Sequence, residues 1–246
     1  RAFQQMGVQI ERKGSNIVIH GVGKHGLKSS SEPLDLGNSG TSIRLMLGLL
    51  SAQSFNSQLC GDESLSKRPM ARVIEPLSTM GALIDSYESK PPLSITGNQK
   101  LSAINYTLPV ASAQIKSCLL LAGLYAEGET CIIEKSTTRD HTERILRGFG
   151  YLVNTSKGQI SLMGGGELHA CDIEVPSDIS SAAFFIVAAS IAKEANITLN
   201  AVNINPTRTG ILDILDLMGA NITLTDERIV AGELVADICV CSSDLR

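Results

Sequence analysis

Apolar and polar positions along this chain follow a pattern that recurs. The run "apolar helix end, small or aromatic residue, glycine, strand" occurs four times, as FQQMGVQI (Gly7), PLSTMGALID (Gly81), ILRGFGYLVN (Gly150) and ILDLMGANIT (Gly219). The glycines lie 74, 69 and 69 residues apart. Each fits the position just past a helix end, where the backbone turns left-handed before entering a strand.

A second feature recurs between these glycines. An extended segment enters a serine-containing turn, then a helix dense in Leu and Ala, then another strand. The copies are LDLGNSGTSIRLMLGLLSA, LPVASAQIKSCLLLAGLYAEGETCII and EVPSDISSAAFFIVAASIAKEANITL. Each period therefore reads strand–helix–strand–helix–strand. Helices apolar on most faces belong in an interior, whereas the second helix of each unit, around residues 143–147 and 211–217, interleaves charge with apolar positions. One helix per unit is expected to be buried and one half exposed, with sheet outside. The alternation places the chain in the α+β (α/β) class, as a few units around a shared pseudo-symmetric centre. Pro176 follows the second complete unit, so a boundary is expected there, with residues 1–175 in one domain and 176–246 in another.

Bulk composition narrows the function. With 246 residues and 43% hydrophobic content, the chain has ample material for a core. A net charge of −4 excludes a broad nucleic-acid surface, so any anion site must be built from local arginines. The six cysteines form no C-x-x-C pair and the four histidines are scattered, so no metal site is expected. Cysteines of this kind read as small buried hydrophobes of a reducing cytosol. The longest apolar runs, 119–126 and 184–192, are too short to span a bilayer. The opening RAFQQMG does not read as a signal peptide. It reads as the end of a helix whose beginning is missing.

Candidate chemistry concentrates in residues 34–70. The small-residue turn Gly37-Asn38-Ser39-Gly40-Thr41-Ser42 feeds an apolar helix with Arg44 just inside, and a polar loop then presents Lys67 and Arg68 before Pro69 and a helix over 73–80. A helix start offers unpaired N–H groups and the positive end of its dipole, Gly40 lets a ligand approach the backbone, and guanidiniums complete a receptor for phosphate or carboxylate. The turn is neither a phosphate-binding Gly-Lys-Ser/Thr loop nor a dinucleotide fingerprint. At S112AQIK116, Ser112 can cap the next buried helix while Ala113 and Gln114 turn their amides outward; Gln114 and Lys116, opening an apolar helix, are expected to contact a ligand. In S136TTRDHTER144, Asp140 with Glu143 resembles a capping box, His141 reads as an exposed first-turn residue, and Arg139 is left to reach a phosphate. S177DISSA182 reads as a cap, and Arg208 stands where Arg139 stands one repeat earlier.

LDLGNSGTSIRLMLGLL, GDESLSKRPM, LPVASAQIKSCLLLAGL, TRDHTERIL and VPSDISSAAFF, in this order, resemble the 5-enolpyruvylshikimate-3-phosphate synthases, in the branch carrying Ser-Ala-Gln and Thr-Arg-Asp-His-Thr-Glu. The resemblance covers essentially the whole chain. It implies two domains of repeated units with buried helices and outer sheets, an inside-out barrel that this chain leaves incomplete. It implies a cytoplasmic, monomeric enzyme of the shikimate pathway to chorismate and the aromatic amino acids. The reaction implied transfers the enolpyruvyl group of phosphoenolpyruvate to the 5-hydroxyl of shikimate 3-phosphate and releases phosphate, with no metal or organic cofactor. Carried over by position, Gly40, Arg68 and Gln114 would meet phosphoenolpyruvate. Ser112, Ala113, Gln114 and Arg139 would hold shikimate 3-phosphate, with Arg44 and Lys67 in support.

The family's opening Gly-Ser-Lys-Ser motif, its proton-transferring acid and its downstream lysine and arginines match nothing in this sequence. The chain is therefore expected to be a middle part of a synthase, without the catalytic acid–base residues and inert by itself. The resemblance also implies sensitivity to glyphosate, which competes with phosphoenolpyruvate, since Gly40 leaves room where a methyl would crowd the inhibitor. UDP-N-acetylglucosamine enolpyruvyl transferase is the nearest alternative, but its loop cysteine has no counterpart within residues 61–69. A non-catalytic anion-binding scaffold is the other.

Overall fold

A computed structural model describes residues 1–246. The chain divides into two compact units, Arg1–Thr137 with Tyr151–Ala170, and Thr138–Gly150 with Cys171–Arg246.

The first unit opens with α1 (Ala2–Gln5), which passes through Gly7 into the antiparallel hairpin β1 (Gln9–Lys13) and β2 (Asn16–His20). There follow β3 (Leu34–Asp35), α2 (Gly40–Leu50), β4 (Ser57–Cys60), the short α3 (Glu63–Ser66), α4 (Ala71–Thr79), β5 (Leu83–Tyr87) and β6 (Lys90–Thr96). A second round gives β7 (Asn105–Thr107), α5 (Ala113–Gly123) and β8 (Glu129–Ile133). The chain then passes through α6 (His141–Gly148), which counts with the second unit, and continues as β9 (Asn154–Ser156) and β10 (Gln159–Met163). The second unit also holds α7 (Ile179–Ile191), β11 (Asn196–Asn203), α8 (Gly210–Leu217), β12 (Asn221–Val230) and β13 (Glu233–Cys241).

The repeat is visible in the sheets. One has the order β3-β4-β6-β5 and another β7-β8-β10-β9, so each round places its strands first–second–fourth–third. In both, the first two strands pair in parallel and the rest antiparallel. The third sheet, β11-β13-β12, keeps this order, and an isolated parallel bridge between Ser177 and Val202 marks its first strand. The repeat glycines Gly7, Gly81, Gly150 and Gly219 have φ of +88°, +105°, +79° and +83°, as the left-handed helix end requires.

The repeat has one more strand than the five-element pattern read from the sequence. Each round closes with a hairpin whose two turn residues are left-handed: Glu88 and Ser89, Lys157 and Gly158, Ala231 and Gly232. Two positive φ angles match the twist of the paired strands. Only the last two turns advertise themselves with glycine; Glu88-Ser89 does not.

Buried helices carry the core of the first unit. α2 lays Ile43, Leu47 and Leu50 inward, α5 adds Ile115, Leu119, Leu120 and Ala122, and in β6 Leu93 and Ile95 are buried while Ser94 and Thr96 face outward. Each fully buried Leu or Ile contributes roughly 1.5–3 kcal/mol. The helices meet where Gly48 has no side chain: a Cβ there would lie 2.1 Å from the Cys118 carbonyl oxygen. The second unit packs Ile179 and Ile186 of α7 against Val202, Leu215, Ala236, Ile238 and Val240. α7 departs from the expectation of burial on most faces, since Phe184, Phe185 and Ile191 are exposed. Its unit contains no second helix of the same kind to cover that face, as α5 covers α2 in the first unit. No helix is long and apolar enough to cross a membrane.

Candidate active site

Two capped helix starts come together in the first unit. Ser39 caps α2, its Oγ accepting the Ser42 N–H at 3.1 Å, and Ser112 caps α5, accepting the Ile115 N–H at 3.4 Å. Thr41 and Gln114 each stand two residues past their cap. Gln114 Nε2 donates to Thr41 Oγ1 at 2.8 Å, so the positive ends of both helices sit side by side.

Arg44 ties this pair to the loop before α4. Its Nη1 donates to Gln114 Oε1 at 2.9 Å and to the Gly40 carbonyl at 3.0 Å, and its Nη2 reaches the Pro69 carbonyl at 3.3 Å. Arg68 donates to Asn38 Oδ1, and Asn38 in turn donates to Asp62 Oδ2 at 2.9 Å. Asp62 also caps α3 through the Leu65 N–H at 2.8 Å, a helical turn inside what reads in sequence as a plain polar loop. Gly40 is the point of closest approach. A Cβ added there would lie 2.8 Å from Arg68 Nη1 and 3.0 Å from Arg44 Nη1.

The electrostatics follow from this crowding. Burial lowers the affinity of Arg44 for its proton, and the like charges of Arg68 and Arg72 lower it further. Three cations held near two helix N-termini repel one another, and a bound anion relieves that repulsion. Below the site, burial pushes the Cys118 thiol up to about 12, so it stays protonated and serves packing.

Lys116 corrects the expectation that it contacts a ligand. It is fully buried and pairs with Glu134 at 3.2 Å, with side chains 1% and 6% exposed. A lysine on the inner face of an apolar helix is tolerated because a carboxylate at the end of β8 meets it. Lys67 is taken up by Glu63 at 2.6 Å on the surface. No group of three or more His, Cys, Asp and Glu side chains is placed to hold a metal ion.

In the second unit two further expectations are corrected. Asp140 makes no side-chain cap to α6. Its carboxylate instead accepts from Arg144 Nε at 2.9 Å and Asn205 Nδ2 at 2.6 Å. Burial alone would raise its pKa, but these bonds and the Arg144 charge outweigh that and hold it below the usual aspartate value. His141 is half-buried rather than exposed, with Nδ1 2.7 Å from Glu233 Oε1. The turn at 177–182 is a cap, as expected: Asp178 accepts the Ser181 N–H at 3.0 Å. Arg208 donates to Asp178 and to Ser180 Oγ. Arg139 is exposed just ahead of α6, with no hydrogen-bond or ion-pair partner in the chain.

The family described as EPSP synthase (3-phosphoshikimate 1-carboxyvinyltransferase) matches residues 1–240. The chain belongs to the EPSP synthase family. It is 63% identical over 246 residues to the 3-phosphoshikimate 1-carboxyvinyltransferase of Vesicomyosocius okutanii subsp. Calyptogena okutanii, and 64% identical to that of Ruthia magnifica subsp. Calyptogena magnifica. In both cases the match covers 100% of this chain and 57% of the relative. The solved EPSP synthase from Acinetobacter baumannii superimposes with a TM-score of 0.94 at 57% identity, over all of this chain and 56% of that one. The chain thus spans a little over half the length of the relatives it matches.

Within this chain, the structure gathers Gly40, Arg68 and Gln114 in one place, with Ser112 and Ala113 opening the helix that bears Gln114. Arg139 belongs to the other unit, and its assignment rests on the family resemblance alone. Sequence reasoning named Asn38 and Thr41 only as part of the small-residue turn, without a role of their own, and missed Arg72 beside the first-unit cluster and Asn205 and Glu233 in the second unit. The role of Thr41 is legible in the sequence, because it occupies the same place after its cap as Gln114 does. Asn205 and Glu233 carry no local signal; only the fold brings them to α6.

Proposed function

We propose that the chain supplies part of the active site of an enolpyruvyl transferase that moves the enolpyruvyl group of phosphoenolpyruvate to the 5-hydroxyl of shikimate 3-phosphate and releases phosphate. The observation that carries this reading is the meeting of two helix N-termini with Arg44, Arg68 and Gln114 around Gly40. Both substrates are small polyanions, and preorganised N–H groups and guanidiniums are what their phosphates and carboxylates require.

In this reading Gly40, Arg68 and Gln114 face phosphoenolpyruvate. Ser112, Ala113 and Gln114 hold the phosphate of shikimate 3-phosphate, and Arg139 is the arginine assigned to the same phosphate. Arg44 orients Gln114 and the loop ahead of α4. Residues 1–175 would form most of a first domain and 176–246 the start of a second, in a monomeric cytoplasmic enzyme. The group that protonates C3 of phosphoenolpyruvate is assigned to no residue here.

Calorimetric titration of the 246-residue chain with shikimate 3-phosphate tests the binding half of this proposal. Weak but measurable heat that disappears in Gln114→Ala supports it, and no binding by a folded chain refutes it. A coupled phosphate-release assay tests the other half. Turnover is expected from a polypeptide of the relatives' full length that carries this chain, and not from these 246 residues by themselves.

A further inference from the structure

A buried polar network in the second unit has no part in the site as described. Asn205, fully buried in the segment between β11 and α8, donates from Nδ2 to Asp140 Oδ1 at 2.6 Å and to Glu233 Oε2 at 3.2 Å. Glu233, 5% exposed at the start of β13, also accepts from Asn203 Nδ2 at 3.1 Å and meets His141 Nδ1 at 2.7 Å. Asp140 is gripped from its own helix by Arg144, whose Nη1 reaches the Gly232 carbonyl at 3.4 Å. Asn205 is itself fixed: its Oδ1 accepts from the Thr207 N–H at 2.9 Å and from Thr207 Oγ1 at 2.7 Å. Backbone fit adds to the grip. A Cβ on Gly232 would lie 2.5 Å from the Arg144 carbonyl, and one on Gly148 2.7 Å from that of Ala231.

A buried network of this kind is costly unless every member is satisfied, and it then specifies one arrangement. What it specifies here is the entry to α6. Asp140 and His141, consecutive residues, are both anchored, and the residue immediately before them is Arg139, exposed and without a partner. Capturing an anion orders both the arginine's backbone and its side chain, and a backbone already fixed leaves only the side chain to be ordered.

We propose that Asn205 and Glu233 are positioning residues for Arg139, holding its backbone so that the guanidinium is presented to the phosphate of the acceptor substrate. The inference rests on the reading of Arg139 as a phosphate ligand given above.

The experiment is a double-mutant cycle in a polypeptide of the relatives' full length that carries this chain. Steady-state kinetics are run with shikimate 3-phosphate and, separately, phosphoenolpyruvate varied. Arg139→Ala is expected to raise KM for shikimate 3-phosphate about tenfold or more, the loss of a charge-assisted contact. Asn205→Ala is expected to raise the same KM severalfold, with kcat and KM for phosphoenolpyruvate little changed. In the Arg139→Ala background the Asn205 substitution should have no further effect, because its influence passes through Arg139. A purely structural role would depress all kinetic parameters, and its effect would persist in that background. Glu233→Gln, which keeps an acceptor oxygen, serves as the second variant if Asn205→Ala fails to fold, with the same cycle applied. If Arg139→Ala leaves KM unchanged, the phosphate reading itself fails. If Arg139→Ala acts but Asn205 or Glu233 substitutions do nothing or add independently, the positioning proposal alone is overturned.

Discussion

Gly40→Ala puts one methyl where the geometry leaves least room. The new carbon would lie 2.8 Å from Arg68 Nη1 and 3.0 Å from Arg44 Nη1, with Arg68 Cδ at 3.8 Å. Ordinary contact needs roughly half an ångström more. Both obstructing atoms are the far ends of flexible side chains, so the guanidiniums move and the helix stays. Replacing glycine in the first turn of α2 by alanine is itself favourable, by at most about 1 kcal/mol, so global stability should change little. Binding pays instead. If Arg68 pairs with the phosphate of phosphoenolpyruvate as proposed, displacing it forfeits about 1.5–3 kcal/mol, or roughly tenfold to a hundredfold in affinity. The assay is steady-state kinetics in a polypeptide of the relatives' full length, with thermal melting run in parallel. The expected result is a raised KM for phosphoenolpyruvate, a nearly unchanged KM for shikimate 3-phosphate and a melting temperature within a few degrees of the parent. Inhibition by glyphosate, read here as a competitor for the same place, should weaken in step. An unchanged KM for phosphoenolpyruvate with an unchanged melting temperature would refute the steric argument and the assignment of Arg68.

Arg44→Lys keeps the charge but cannot span Gln114, Gly40 and Pro69 together, so KM for both substrates should rise about tenfold while the chain stays folded by circular dichroism. Lys116→Met removes one partner of a buried ion pair and should cost about 3–5 kcal/mol in denaturant unfolding; a paired apolar replacement of Lys116 and Glu134 should recover most of that loss. Asp140 has a folded pKa below its ordinary value of 3.8, so its stabilising contribution is complete above that pH and is lost as pH falls through the lower folded value. Asp140→Asn should therefore weaken the second unit at neutral pH and blunt its acid unfolding below about pH 4, followed by circular dichroism.

The repeat was legible because its punctuation is chemical. Gly7, Gly81, Gly150 and Gly219 stand where the backbone must turn left-handed, and Ser39 and Ser112 stand where a helix needs an acceptor. Such signals are local. The fourth strand of each round was not legible, because its hairpin turn can be made by Glu88 and Ser89 as well as by glycine. Lys116 was misread for a related reason: a charged residue in an apolar helix signals either a ligand or a buried partner, and Glu134 lies 18 residues away. Asp140 and Glu143 matched a capping pattern, yet Asp140 found better partners in Arg144 and Asn205, the latter 65 residues on. Tertiary partners outbid a local cap whenever the fold brings them within reach.

The three serine-turn helices show how one scaffold is given different chemistry by a single capping residue. α2 and α5 are capped by neutral Ser39 and Ser112, which satisfy one N–H each and leave the positive end of the dipole uncompensated. Arginines then add to that potential, and the result is a receptor for anions. α7 is capped by Asp178, whose carboxylate accepts the Ser181 N–H and draws in Arg208 at 3.3 Å. The negative charge a ligand would bring is already in place, and the arginine that would hold it is already paired. α7 therefore offers an incoming phosphate much less than its siblings do, although its turn looks the same in sequence. What separates a binding helix from a structural one in this fold is whether the charge at its first turn is supplied by the chain or left for the ligand.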